Sequence, residues 1–346
     1  MNRIYHTLGA TKQAFHQRLN LQIKRQEELE QLLPVLRDIR EDHPFMSARQ
    51  MYTMLQPETI GRDRFEAFCF DNGFKIEVKR SFRKTTNSLG VTRFENLLIQ
   101  IELKHVNQAY VSDITYYEIA GRFYYLTFIM DLFSRRILGY SASENLFTEN
   151  TTIPALKMAI KARKGVDLSG LIFHSDGGGQ YYCKEFLKLT KKLEIKNSMC
   201  ENVYENAHAE RVNGTIKNAY LDGYKPKNFE ALKKLLTKAV YMYNHQKPHG
   251  ALNGLSPVSF EQYLLTIKEE QRFEMTIKKR NICMPAAQTE FFCNSLPLIK
   301  GRFDRKKEPT LKPALHNLPR HIGRSLQPGC SPAEPDQLIT KEEKIN

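Results

Sequence analysis

The spacing of apolar residues changes character along the chain. From Thr11 to about Leu36, Leu alternates with Gln, Glu, Lys and Arg, all good helix formers, and the spacing predicts a helix. Pro34 is expected to bend or end it. The stretch HPFMSARQMYTML (43–55) predicts a short helix capped by Ser47. Gly61 to Asp71 predicts another, with Phe65, Phe68 and Cys69 on its apolar side and a stop at Asn72-Gly73. Two short helices joined by a tight turn fit a helix-turn-helix, or equally an ordinary helical hairpin.

After residue 105 the period changes to that of strands. Ala109 to Tyr117, Phe123 to Phe133 and Arg136 to Ala142 are rich in β-branched and aromatic residues, with Gly121-Arg122 at a hairpin turn. They predict a three-strand meander. Asn150 to Ala162 has helical spacing, and the apolar run Gly170 to Asp176 suits a strand buried on both faces. A helix over Lys184 to Leu193, a fifth strand over Ile195 to Met199, and helices at about 204–220, 228–245 and 256–268 complete the pattern. The fold class is therefore α/β, a mixed sheet covered by helices. Four segments follow: a helical region over 1–78, a polar and basic linker over 79–96, a core over 97–268, and a basic, largely disordered tail over 269–346. Eight of the fifteen prolines lie beyond Arg280, where apolar periodicity fades.

Composition narrows the partners. The 346 residues carry a net charge of +14, which favours a polyanion such as DNA but also suits a merely soluble basic protein. No apolar run is long enough for a membrane span, and residues 1–17 lack the apolar core of a signal peptide, so a soluble cytoplasmic location is expected. The six cysteines form no C-x-x-C pair and no zinc-finger spacing, so any metal should be held by oxygen.

Three carboxylates stand out. Asp113 sits mid-strand among Tyr, Val, Ile and Thr, either on a solvent face or, if buried, with a task. Asp176 ends an apolar strand, where catalytic groups gather in α/β sheets, and Gly177-Gly178-Gly179 follow as a flexible connection or a site of close approach. On a helix, Asn206, Glu210, Asn213 and Lys217 share one face while Ala209, Val212 and Ile216 occupy the opposite side. A solvated face is the plain alternative. Asp131, in FIMDLFSRR, reads as a turn-fixing residue. His174-Ser175-Asp176 cannot form a hydrolase relay from three adjacent positions, and no G-x-S-x-G elbow exists.

VSDITYY, FIMDLFSRRILGY, FHSDGGGQYY, NAHAERVNGTIKN and YMYNHQKPHGALNGLSPVSF, in this order, resemble the integrase-like Asp-Asp-Glu transposases of bacterial insertion sequences. The resemblance covers about residues 95–265, and HPFMSARQMYTML resembles the helix-turn-helix segment preceding that core. It implies an RNase H-like five-stranded sheet with Asp113, Asp176 and Glu210 as a catalytic triad. These would hold two Mg2+ ions, for which Mn2+ can substitute, and such a pair clamps the attacking and leaving oxygens of phosphoryl transfer. It implies DNA cleavage and strand transfer on terminal inverted repeats and target DNA, a homo-oligomer on DNA, a nucleoid location and a possible upstream reading-frame partner. Lys217, Asn206, Asn213, Arg211, Arg49, Arg62 and Arg64 are the expected DNA contacts. Tyr243, Asn244, Pro248 and His249 are expected to pack or line the substrate channel. Thirty-three residues lie between Asp176 and Glu210, a shorter path than is usual in the family. The alternatives are an RNase H-like nuclease without strand transfer and a non-enzymatic DNA-binding regulator.

Overall fold

The computed structural model describes residues 9, 11–76, 94–99, 101–200, 206–268, 272 and 275–276. Its centre is a five-stranded sheet. Strands β1 (Ala109–Ile119), β2 (Arg122–Asp131) and β3 (Ile137–Ser143) form the expected antiparallel meander. The chain then crosses through helix α4 (Thr152–Ala162) to β4 (Ile172–Ser175), and through α5 (Lys184–Lys192) to β5 (Lys196–Met199). Both late strands run parallel to β1, giving the order β3-β2-β1-β4-β5. This is the mixed, helix-flanked sheet expected of an RNase H-like core.

Strand alternation sends successive side chains to opposite faces. Val111, Phe128 and Met130 meet one layer, formed by α6 (Ala207–Ile216), α7 (Phe229–His245) and α8 (Pro257–Thr266). Tyr110, Ile129 and Phe173 meet the other, formed by α4 and α5 through Ala155, Leu156, Ala159 and Phe186. Gly139 on β3 lets α4 come this close. A Cβ there would fall against the Ala155 carbonyl and 3.0 Å from the Ala159 nitrogen.

Asp131 has the turn role expected of it. It is fully buried, and its Oδ1 accepts from the Phe133 and Ser134 amides at 2.9 Å each. Its Oδ2 accepts from the Asn107 amide at 2.6 Å. Asn244 ties α7 to β3, donating to the Ile137 carbonyl at 2.8 Å and accepting from its amide at 2.9 Å, and Tyr243 is buried beside it.

Two elements run on where the sequence suggested a break. Helix α1 (Lys12–Asp42) runs through Pro34 rather than ending there. Leu29, Leu36 and Ile39 on either side of the proline are buried against α2 (Ala48–Leu55) and α3 (Arg62–Asp71), and this tertiary burial outweighs one lost backbone bond. The folded chain also passes residue 268. Met275–Thr276 pairs antiparallel with Glu102–Leu103, and Met275 is buried in the core. Apart from residue 272, the rest of the expected tail, and residues 79–93 of the expected linker, lie outside the described residues.

Ser47 caps α2 as expected, in a reciprocal arrangement with Gln50. The helical region packs directly on the core. His43 Nδ1 lies 3.0 Å from the Tyr220 hydroxyl and its Nε2 lies 3.1 Å from Gln246 Oε1. Gln50 donates to the Pro248 carbonyl at 3.3 Å, and Lys238 pairs with Asp42 at 2.8 Å.

Candidate active site

Register brings the two aspartates together. In the parallel pairing of β1 with β4, Ser112 lies opposite Ser175. Asp113 follows Ser112 on β1, and Asp176 follows Ser175 just past the end of β4. Neighbouring strands lie about 4.8 Å apart and equal offsets share a face, so the two carboxyl groups meet at one end of the β1–β4 pair.

Helix α6 crosses this end of β1 and is sewn to it in sequence order. Asn206 donates to the Ser112 carbonyl at 3.0 Å, Asn213 donates to Asp113 Oδ2 at 2.7 Å, and Lys217 donates to Thr115 Oγ1 at 3.1 Å. The Lys217 ammonium also stands 5.0 Å over the Tyr116 ring. The shared helix face anticipated from the spacing therefore exists, but Asn206 and Asn213 are buried and face the strand. Ala209, Val212 and Ile216 pack into the core, as the spacing implies. After Ile216 the helix widens into a π-helical turn over Lys217–Leu221. Such turns are frequent at functional sites.

Glu210, in the first turn of α6, is exposed at the same mouth. Electrostatics links the three acids. Burial, then the neighbouring Asp176 and Glu210, pushes the Asp113 carboxyl well above its ordinary range. Burial also raises Asp176, against the hydrogen bond its Oδ1 receives from the Gly178 amide at 3.1 Å. Burial and then Asp176 raise Glu210. Burial raises all three acids, and together they form an oxygen-only donor set whose charge a divalent cation would relieve. Among the described residues no three carboxylate, imidazole or thiol groups converge closely enough to grip an ion unaided. Asp113 and Asp176 meet, and Glu210 stands off on α6. Residues 201–205, within the shortened path before α6, lie outside the described residues.

Of the three glycines after Asp176, Gly177 is the one the backbone demands. Its φ is +79°, and a Cβ would collide with the Met199 side chain on β5. His174 is buried and turns to β5, with Nδ1 2.9 Å from Ser198 Oγ, so the adjacent His-Ser-Asp string is not a relay.

The other expected DNA contacts lie apart from the carboxylates. Arg211 is exposed on α6. Arg49 on α2 pairs with Glu66 at 3.2 Å, and Arg62 on α3 pairs with Asp63 at 2.9 Å. Arg64, on the same helix, is exposed. Sequence reasoning missed Thr115 and Tyr116, which seat Lys217, and Gln180, which fastens the Asp176 loop to its neighbour. Neighbouring positions in VSDITYY and FHSDGGGQYY carried the only available signal.

The Integrase core domain family matches residues 104–203, and a second family of that description matches residues 191–257. The 31 kDa protein of insertion element IS600 from Shigella sonnei is 33% identical over 208 residues, covering 59% of this chain and 75% of that protein. The protein assigned as transposase of insertion sequence element IS986/IS6110 in Mycobacterium tuberculosis is 30% identical over 224 residues, covering 62% of this chain and 80% of its own. Among solved structures, the HTLV-2 integrase catalytic core domain in complex with magnesium aligns with a TM-score of 0.38 at 24% identity, covering 48% of this chain and 99% of that one. The matched segments contain Asp113, Asp176 and Glu210, and by these sequence matches the chain belongs to the integrase-core transposases of insertion sequences.

Proposed function

We propose that this transposase cleaves the ends of its mobile element and joins them to target DNA at one site built from Asp113, Asp176 and Glu210. The observation that carries the reading is the Ser112–Ser175 register, which sets two aspartates from distant parts of the sequence side by side under α6. Integrase-type domains generally use a divalent metal, and Asp113, Asp176 and Glu210 would be the residues to hold two Mg2+ ions, with Mn2+ as substitute. Magnesium is ordinarily held by one or two carboxylates, with water and substrate phosphates completing its octahedron. The Asp113–Asp176 pair, with Glu210 standing off on α6, suits ions recruited together with DNA. When bound, such ions neutralise charge on the phosphoryl group in transfer.

The chain's own groups hold this arrangement. Asn213 fixes Asp113 Oδ2, and the Gly178 amide fixes Asp176 Oδ1. Lys217, seated by Thr115 and Tyr116 beside the carboxylates, contacts a phosphate near the scissile bond. Asn206 supports that role by pinning the start of α6. Arg211 adds positive charge on the exposed side. Arg49, Arg62 and Arg64 on the two short helices contact the terminal inverted repeats and set the register of the duplex. A homo-oligomer synapses two ends, with an upstream reading-frame product as a possible further partner, at the nucleoid.

Asp176→Asn and Glu210→Gln are expected to abolish cleavage in magnesium while leaving DNA binding intact, read by gel shift and strand-cleavage assays side by side. Full cleavage by either variant overturns the site. A joining assay with pre-cut ends separates this reading from a nuclease that only hydrolyses. A regulator without enzymatic activity would cleave nothing.

A further inference from the structure

The loop between β3 and α4 carries two large apolar side chains into solvent. Leu146 is 43% exposed and Phe147 is 67% exposed. The loop is firmly built. Asn145 Oδ1 accepts from the Phe147 amide and from Asn150 Nδ2, each at 3.1 Å. The Thr151 hydroxyl donates to the Phe147 carbonyl at 2.8 Å, and Ser143 Oγ donates to the Asn145 carbonyl at 2.7 Å. The loop is also fastened to the catalytic one. Gln180, four residues beyond Asp176, donates to the Leu146 carbonyl at 3.2 Å, and its own carbonyl accepts from Thr152 Oγ1 at 3.2 Å. A framework this well bonded holds the pair outward instead of folding it into the nearby core of α4.

We propose that Leu146 and Phe147 form an apolar wedge that enters the DNA duplex beside the scissile phosphodiester at the element end and unstacks the flanking base step. The proposal rests on the function proposed above, because it requires DNA at Asp113 and Asp176. The side chains suit such an occupant. Apolar wedges of Phe, Leu, Ile or Met unstack base steps, and an aromatic ring replaces the lost stacking by offering its own π-face to the displaced base. The two hydrogen bonds through Gln180 give the wedge a fixed placement relative to the Asp176 loop. A phosphodiester whose neighbouring step is unstacked has a freer backbone and reaches the carboxylates with less distortion of the rest of the duplex.

The test uses the full chain, magnesium and duplex oligonucleotides carrying the element's terminal sequence. One set is fully paired, and the other is mismatched at the step flanking the cleaved bond. Phe147→Ala is expected to cleave paired ends about tenfold or more slowly than the wild type, and mismatched ends to within about threefold of it. Phe147→Trp is expected to retain cleavage of both. With 2-aminopurine at the flanking step and calcium in place of magnesium, wild type brightens the probe and Phe147→Ala does not. The wedge is overturned if Phe147→Ala cleaves paired ends normally, slows both duplexes by one common factor, or instead changes the oligomeric state by sedimentation. If the wild type cleaves neither duplex, the proposed function fails and the wedge with it. Normal wild-type cleavage with an unchanged paired-to-mismatched ratio sinks the wedge alone.

Discussion

The Nδ2 of Asn213 donates to Asp113 Oδ2 at 2.7 Å and helps hold that carboxylate in place. Outer partners of ligating carboxylates commonly account for about 10–100-fold in metal affinity or activity. Asn213→Ala should therefore raise the magnesium concentration for half-maximal cleavage by about that factor, with DNA affinity unchanged in a gel shift. An unchanged magnesium dependence would remove Asn213 from the site. Gly177 is a different kind of requirement. Any side chain there meets both a φ of +79° and Met199, so Gly177→Val should cost on the order of 1–3 kcal/mol in urea unfolding, as strained backbone positions do. Both residues stand in short stretches that look unusual as text. The amide's inward aim does not show there, because a face of Asn, Glu, Asn and Lys reads equally well as turned to water.

At the scale of elements, α8 is held by one acid. Glu261 accepts from Ser134 at 2.7 Å and pairs with Arg136 at 2.6 Å and with Arg163 from the end of α4. Burial alone would raise its carboxyl, but the hydrogen bond and charge of Arg163, with help from Arg136 and Ser134, hold it below its ordinary range. Removing one partner from such a half-buried group leaves uncompensated cations, so Glu261→Ala should destabilise the fold by about 3–5 kcal/mol, read as a lower urea midpoint. Glu261→Gln, which keeps the shape and some donor contacts, should cost less. The elements themselves were mostly legible, because strand alternation and helix spacing follow directly from side-chain geometry. That α1 continues through Pro34 is not written locally, because propensity disfavours a proline inside a helix, whereas the burial of Leu29, Leu36 and Ile39 is a tertiary fact.

For the whole molecule, the junction between the helical region and the core turns on His43. It is buried between Tyr220 and Gln246, and burial lowers its pKa from 6.5 to about 4. The unfolded chain therefore binds the extra proton first as the medium is acidified. The resulting stability is fully present above pH 6.5 and is lost as pH falls towards 4, amounting to about 3 kcal/mol at most. Urea midpoints measured across this window should fall for the wild type, and His43→Gln should flatten the component that His43 contributes. An identical pH slope in both proteins would exclude His43 as its source.

The linear chain by itself determined the order of strands and helices, the change from helical to strand period near residue 105, the basic charge and the three acids. These depend on local periodicity and composition, which are written along the backbone. Only the tertiary structure decided that Ser112 lies opposite Ser175 and that α6 turns Asn206 and Asn213 onto β1. It also decided that Met275 returns to the core and that the helical region rests on Tyr220 and Gln246. Each of these is a pairing between residues far apart in sequence. Its free energy comes from burial and hydrogen bonds that exist only once the sheet has closed and the helices lie on it.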